Sequence, residues 1–240
     1  MGLLKIPYLP QTKVTMGIGD IKCENIEIVP PCDFLNLPEG LKRHADLSFC
    51  YLGEGVAVCA KGSGEYYQKK LNKTQIMIIE GGTTLDRHYP LDAAYNVAIL
   101  GKKMFCKKDI SDKTLLNEAE KLNYKIVDIK QGYGKCSVCP VDENSAISAD
   151  VSFARAAEKE GIDVLLITND TIVLPMYNNG FFGGSAFMAD KNTLIVNGDI
   201  NLHPDSDRIK AFLEKRNIKI NCTKAVPLFD FGSFIPLWEE

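Results

Sequence analysis

The sequence is poor in basic charge, in histidine and in long apolar runs, and each shortage removes a class of function. Lys and Arg number 28 against 31 Asp and Glu, a formal net charge of -3. A protein that binds nucleic acid through its phosphates needs a basic face, so no nucleic-acid partner is expected. The longest apolar candidates, such as Ile76-Met77-Ile78-Ile79, are strand-sized. A bilayer needs ~20 apolar residues in a row, so no membrane partner is expected either. The three His are scattered, and Cys136-Ser137-Val138-Cys139 has no second Cys-x-x-Cys to complete it. A structural zinc site wants four such ligands, so no metal is expected. Gly62-Ser63-Gly64 lacks the Lys-Ser/Thr ending of a phosphate loop, and no cofactor is expected. The opening Met1-Gly2-Leu3-Leu4-Lys5-Ile6-Pro7 reads as neither a secretory leader nor, with Ile6 where Ser or Thr is needed, a myristoylation signal.

What is present describes a globular chain. Hydrophobic residues make up 45% and charged residues 25% of the 240 positions, enough to build a core. Most of the eight Cys sit in apolar strand-like runs, among them Cys50, Cys59, Cys106 and Cys222. That placement reads as reduced, buried cysteine in a cytoplasmic protein.

The organising feature is a repeated order of elements. Helices are expected over 65–71, 111–123, 150–160 and 205–216, where apolar residues recur at helical spacing after a capping residue. Each is followed by an Ile- and Val-rich strand, at 75–80, 125–129, 163–168 and 218–222. Each is preceded by two strand-like runs around a turn such as Gly53-Glu54-Gly55 or Asp142-Glu143-Asn144. The unit is therefore strand, strand, helix, strand, with units starting near Asp46, Asp92, Cys136 and Ser185. One further step lands on Asp230, where the chain ends before a helix can follow. At the other end, Glu24 to Val29 is a closing strand without its partners. The two ends are expected to share a fifth unit. An open array would need polar caps, and Phe231 to Trp238 is apolar; a ring needs none. The expected fold is α/β: a five-bladed propeller of ββαβ units with pseudo-fivefold symmetry, closed by the two termini, in a single domain over 1–240. The starts of the first strands would surround one central opening.

Several short stretches carry a family resemblance. They are His44-Ala45-Asp46, Tyr89-Pro90-Leu91-Asp92 with Asn96, Gly132-Tyr133-Gly134-Lys135-Cys136, Gly180-Phe181-Phe182-Gly183-Gly184, and Asp230-Phe231-Gly232-Ser233-Phe234-Ile235-Pro236. With the repeat order, they make the chain resemble a bacterial branch of the pentein superfamily. That superfamily holds the guanidino-group-modifying enzymes: arginine deiminases, dimethylarginine hydrolases and amidinotransferases. The resemblance implies a polar central site in which a Cys near the C-terminus attacks a guanidinium carbon, helped by His and acidic residues. Here the fifth unit contains Ser233 and no Cys, and Cys222 is expected to pack in the core.

The residues suggest their own candidates. Cys136 is the one Cys at a unit start. It is either a displaced nucleophile, with Lys135 lowering its pKa, or a small unreactive strand residue. His44 and Asp46, two apart on an extended run, would face the same way, as a proton carrier and a cation partner. Asp92 and Asp230 recur in the same phase, and carboxylates held together call for a cation between them. Asn96 and Ser233 would complete the hydrogen bonding, and Gly184 would permit a close backbone approach. His88 and His203 read as surface loop residues. The expected function is a Cys-dependent hydrolase or amidinotransferase acting on a small cationic guanidino or amidino compound, with Cys136, His44 and Asp46 catalytic. Asp92, Asn96, Lys135, Gly184, Asp230 and Ser233 would bind substrate. The alternative is a non-catalytic factor of the same fold that binds a small molecule or a protein, as pentein-fold ribosomal-subunit binding factors do.

Overall fold

Short runs of Val, Ile, Leu and aromatic residues, broken by polar turns, become short strands in the computed structural model, which describes residues 2–240. The chain begins with β1 (Gly2–Leu3), β2 (Val14–Gly19) and β3 (Glu27–Val29). The first full unit runs α1 (Ala45–Ser48), β4 (Phe49–Gly53), β5 (Val56–Cys59), α2 (Gly64–Lys70) and β6 (Met77–Glu80). The second has a turn of 3-10 helix at Leu91–Ala93, then β7 (Ala98–Leu100), β8 (Lys103–Cys106), α3 (Lys113–Lys121) and β9 (Lys125–Asp128). The third is α4 (Gly134–Ser137), β10 (Val138–Asp142), β11 (Ser145–Ser148), α5 (Val151–Lys159) and β12 (Asp163–Leu166). The fourth is α6 (Phe182–Ser185), β13 (Ala186–Asp190), β14 (Thr193–Val196), α7 (Ser206–Glu214) and β15 (Lys219–Cys222). β16 (Phe234–Glu239) is last.

Within each unit the first two strands pair antiparallel and the third joins the second in parallel. A tight turn suffices for the antiparallel pair, whereas a parallel pair needs a crossover, which the helix supplies. The helices bury one face: Leu115 and Ala119 in α3, Phe153 and Ala157 in α5, Ile209, Phe212 and Leu213 in α7. Burying a side chain such as Phe153 contributes roughly 2–3 kcal/mol. Asp112 and Asp150 cap two of these helices, each accepting from the backbone N–H three residues on, at 3.0 and 2.6 Å.

The fifth sheet has the order β1-β16-β2-β3 and joins both ends of the chain. The C-terminus supplies its leading strand; the N-terminus supplies the second and third. The sequence pattern marks the leading strand after Asp230 and the third strand over 24–29, but not the second. β2 was hidden by Gly17 and Gly19, which weaken a strand signal. Both are needed because the Phe234 ring lies on them, and a Cβ at Gly17 would collide with it. No helix lies between β2 and β3, so this unit departs from the ββαβ pattern of the other four.

Neighbouring first strands touch in the order β7, β10, β13, β16, β4, so their starts converge on one axis. Those starts differ from the extended runs expected. Asp46, Asp92, Cys136 and Gly184 lie on single helical turns just before the strands. Crowding at the axis explains this: a Cβ on Gly134 would lie 3.1 Å from the Ala98 nitrogen, and one on Gly183 would run into the carbonyls of Lys135 and Val138. Two further expectations are corrected. Cys222 is exposed, because β15 is the outer strand of its sheet. His203 is buried; its ring nitrogens meet the Thr168 carbonyl at 3.1 Å and the Asp205 N–H at 3.0 Å.

Candidate functional site

Asn96 organises the axis. Its carbonyl oxygen accepts from the backbone N–H groups of Lys135 (2.7 Å) and Cys136 (3.1 Å), which fixes α4. Its amide nitrogen donates to the Asp46 backbone carbonyl (3.0 Å) and lies 3.1 Å from the Cys136 Sγ. The Cys136 thiol in turn donates to Asp46 Oδ2 at 3.0 Å. Units one, two and three are thereby tied through three buried side chains.

His44 caps α1 and Asp46 sits in that helix's first turn, so the two side chains converge through the turn rather than through strand alternation. His44 Nδ1 stands 3.9 Å from Asp230 Oδ1, too far for a hydrogen bond. His44 Nδ1 and Asp46 Oδ1 are both buried and both lack a hydrogen-bond partner. His44, Asp46 and Cys136 each present one donor atom to the others within 4.8 Å.

Asp230 is held from the fifth unit. Its Oδ2 accepts from Phe181 N–H (2.9 Å) and its Oδ1 from Gly232 N–H (3.0 Å). Two glycines make this possible. A Cβ on Gly184 would overlap the Asp230 carboxylate, and one on Gly232, at φ +76, would overlap His44. Lys135 faces away from Cys136. Its buried ammonium donates to the Gly183 carbonyl (3.0 Å) and Ser233 Oγ (2.8 Å) and lies 5.1 Å from the Tyr8 ring centroid. Asp92 is set to one side: its Oδ2 accepts from the Tyr133 hydroxyl at 2.6 Å, and its Oδ1 is buried without a partner.

Burial dominates the electrostatics of the site. Burial pushes the Asp46 carboxyl up to about 6, partly opposed by the charges of His44 and Lys135. Burial also holds the Cys136 thiol well above its ordinary value, and the carboxylates of Asp46 and Asp230 push the same way. Burial raises Asp92 as well, against the Tyr133 hydrogen bond. A cation placed among these groups would oppose the Coulomb push on Cys136 and add to the charges that already favour ionised Asp46.

A cavity of about 280 Å³ opens onto this cluster. His44, Cys136 and Asp230 reach it from the axis. Tyr133, Tyr177 and Phe181 form an aromatic wall, Leu41, Leu47 and Leu174 an apolar one, and Asn178 and Asn179 complete it. Of the residues singled out in sequence, the structure brings Cys136, His44, Asp46, Asn96 and Asp230 together. Gly184 lies against Asp230, while Lys135 and Ser233 lie beneath, toward Tyr8. Tyr133 and Phe181 lie in the motif stretches of the family resemblance but were given no role there, and Tyr177 was missed, because it comes from an irregular segment before α6 that carries no periodic signal.

Comparison with known proteins agrees with this architecture. A model of the family of unknown function DUF6873 matches residues 15–235. The chain belongs to that family. No curated protein sequence matches it. Among solved structures, it is similar to an amidinotransferase of the saxitoxin biosynthetic pathway from Microseira wollei, at TM-score 0.55 and 9% identity over 91% of each chain. It is similar to agmatine deiminase of C. jejuni at TM-score 0.52 and 11% identity, over 93% of this chain and 91% of that one. It is also similar to DDAH from Pseudomonas aeruginosa complexed with citrulline, at TM-score 0.50 and 10% identity, over 83% of this chain and 74% of that one. The DUF6873 chain thus has the pentein fold, its five small sheets corresponding to the five units of that fold. No helix among the described residues is long and apolar enough to cross a membrane.

Proposed function

We propose that this protein is a Cys136-dependent enzyme that transfers or hydrolyses the amidino group of a small cationic guanidino or amidino compound. The observation that carries this reading is the pair of buried, unpartnered groups, the acceptor Asp46 Oδ1 and the ring nitrogen His44 Nδ1, beside a thiol hydrogen-bonded to a carboxylate. Leaving such groups unpaired costs about 1–3 kcal/mol each, so they point to a ligand that donates hydrogen bonds and carries positive charge. A guanidinium is planar, cationic and rich in N–H donors, and carboxylates are its natural partners. The similar structures include an amidinotransferase and a deiminase, which accords with that chemistry.

In this reading Asp46 and Asp230 hold the guanidinium, and its charge draws the Cys136 thiol toward thiolate. Cys136 Sγ bonds to the guanidinium carbon, and the thiol proton passes through Asp46 or His44 to the departing amine. The amidino group, now on sulfur, is released by water or by an acceptor amine. Asn96 positions α4, and Lys135 with Ser233 balances the carboxylates from below. No cofactor is required. The eight cysteines are all free, which suits a reducing, cytoplasmic setting.

The test is covalent labelling. Chloroacetamidine, a cationic electrophile, should alkylate Cys136, and Cys136→Ser should abolish it. Neutral iodoacetamide should react at least ~10-fold more slowly at Cys136, because only the cation lowers the thiol's pKa. Equal labelling of wild type and Cys136→Ser, or equal rates for the two reagents, would overturn the reading. The second reading, a binding factor without turnover, is favoured by the small exposure of the thiol, only 3% for Cys136. It predicts stabilisation by guanidino compounds with no labelling and no released amine.

A further inference from the structure

The walls of the cavity speak to the part of the ligand that the carboxylate cluster does not hold. We propose that the substrate's tail carries no carboxylate: the site accepts guanidino compounds with uncharged or cationic tails and rejects guanidino acids. This rests on the guanidinium reading of the same cavity and deepens it.

A carboxylate taken into a half-buried cavity needs a guanidinium, an ammonium or several convergent N–H donors to replace its water. No Lys or Arg lines this cavity. The nearest buried ammonium, Lys135, is spent on Gly183, Ser233 and Tyr8 on the far side of the cluster. Lys107 is engaged outside the cavity, at the Tyr89 hydroxyl, 3.1 Å away. An adjoining cavity shares His44 and Asp230 and does hold Lys22, Arg43 and Lys224, so the selectivity concerns tails seated between Tyr133, Tyr177 and Phe181. Its Arg43 is already bound to both oxygens of Asp20, at 2.7 and 2.8 Å.

What the walls offer instead suits a neutral or positive tail. The rings of Tyr133 and Phe181 stand 6.2 Å apart with Tyr177 beside them, and aromatic faces attract alkyl groups and cations alike. Behind Tyr133 lies Asp92, with one buried oxygen unpartnered. A carboxylate here would meet Asp230, with Asp92 behind Tyr133, and would have only the His44 ring, the Tyr177 hydroxyl and the neutral amides of Asn178 and Asn179 in its favour.

Three ligands on the same four-carbon chain decide the point: n-butylguanidine, 4-aminobutylguanidine and 4-guanidinobutanoate, titrated calorimetrically into Cys136→Ser at pH 8. Cys136→Ala serves if the serine variant melts early. The first two should bind, and the guanidino acid should bind at least ~10-fold more weakly. Tyr177→Arg, at a half-exposed position, should narrow or invert that gap. Binding of 4-guanidinobutanoate as tight as that of n-butylguanidine would overturn the tail selectivity and leave the guanidinium site standing. Binding of none of the three to folded protein would overturn the guanidinium reading itself, and this inference with it.

Discussion

Asp46 is the residue on which stability and ligand binding conflict. Its carboxyl is pushed up to about 6, chiefly by burial, from an ordinary value of 3.8. A carboxyl raised in this way binds its proton more tightly in the folded state. Its contribution to stability is therefore intact below about pH 4 and is lost as pH climbs through about 6, at a cost of about 3 kcal/mol. Asp46→Asn, which keeps an acceptor for the Cys136 thiol, should raise the melting temperature by several degrees at pH 7.5 and hardly at all at pH 4. The same substitution should abolish chloroacetamidine labelling. Ligand affinity should run the other way: a guanidinium needs ionised Asp46, so its affinity should rise about tenfold per pH unit up to about 6 and level off above. Calorimetry across pH 5 to 8 checks this, and a flat profile would mean that Asp46 does not hold the cation.

At the scale of elements, the second unit depends on one aspartate more than the others do. Asp112 caps α3 through Leu115 N–H and also accepts from Gly82 N–H, Thr83 N–H and Thr83 Oγ1 at 2.7–3.0 Å. Burial alone would raise its carboxyl, but these hydrogen bonds hold it below the usual value. That stability is present at neutral pH and is lost as pH falls through the lowered value, below about pH 4. Asp112→Ala should cost more than the ~1 kcal/mol typical of a lost cap, since it also frees the chain at Gly82 and Thr83. Asp150→Ala, at the cap of α5, should stay nearer that ~1 kcal/mol. Urea unfolding of the two variants separates the cases, and equal losses would show that the extra bonds contribute nothing.

At the scale of the whole molecule, the telling feature is the sheet in which both ends of the chain meet. Gly2 pairs with Glu239 and Leu3 with Trp238 across β1 and β16. A short linker between the two ends of this chain, with new ends opened in the exposed turn at Gly161, should therefore give a folded permutant. It should melt within a few degrees of the parent and label equally with chloroacetamidine. Removing residues 1–22 instead takes away β1 and β2, uncovers Phe234 and should prevent folding, because β16 then loses both neighbours. A permutant that aggregates while the truncation folds would mean that the shared sheet does not hold the molecule together.

The spacing of capped helices and Ile/Val runs was enough to read the strand–strand–helix–strand repeat, because each is a local pattern set by side-chain periodicity. The repeat also marked out Asp46, Cys136 and Asp230, since residues in one phase of a radial repeat approach one axis whatever their separation along the chain. Local pattern could not reveal β2, whose glycines serve Phe234 from the other end of the chain, nor the helical turns that crowding imposes at the axis. Strand alternation already suggested that Lys135 and Cys136, adjacent in sequence, need not share a surface; it could not tell that they part on a helical turn, one toward Ser233 and the other toward Asp46. That Tyr133 and Phe181, both within the motif stretches, join Tyr177 in one aromatic wall was equally hidden, because irregular segments carry no period to read. The sequence alone therefore determined which elements form and which residues share a phase. Only the tertiary structure decided which groups are buried without partners, because desolvation and pairing are properties of surroundings assembled from distant parts of the chain.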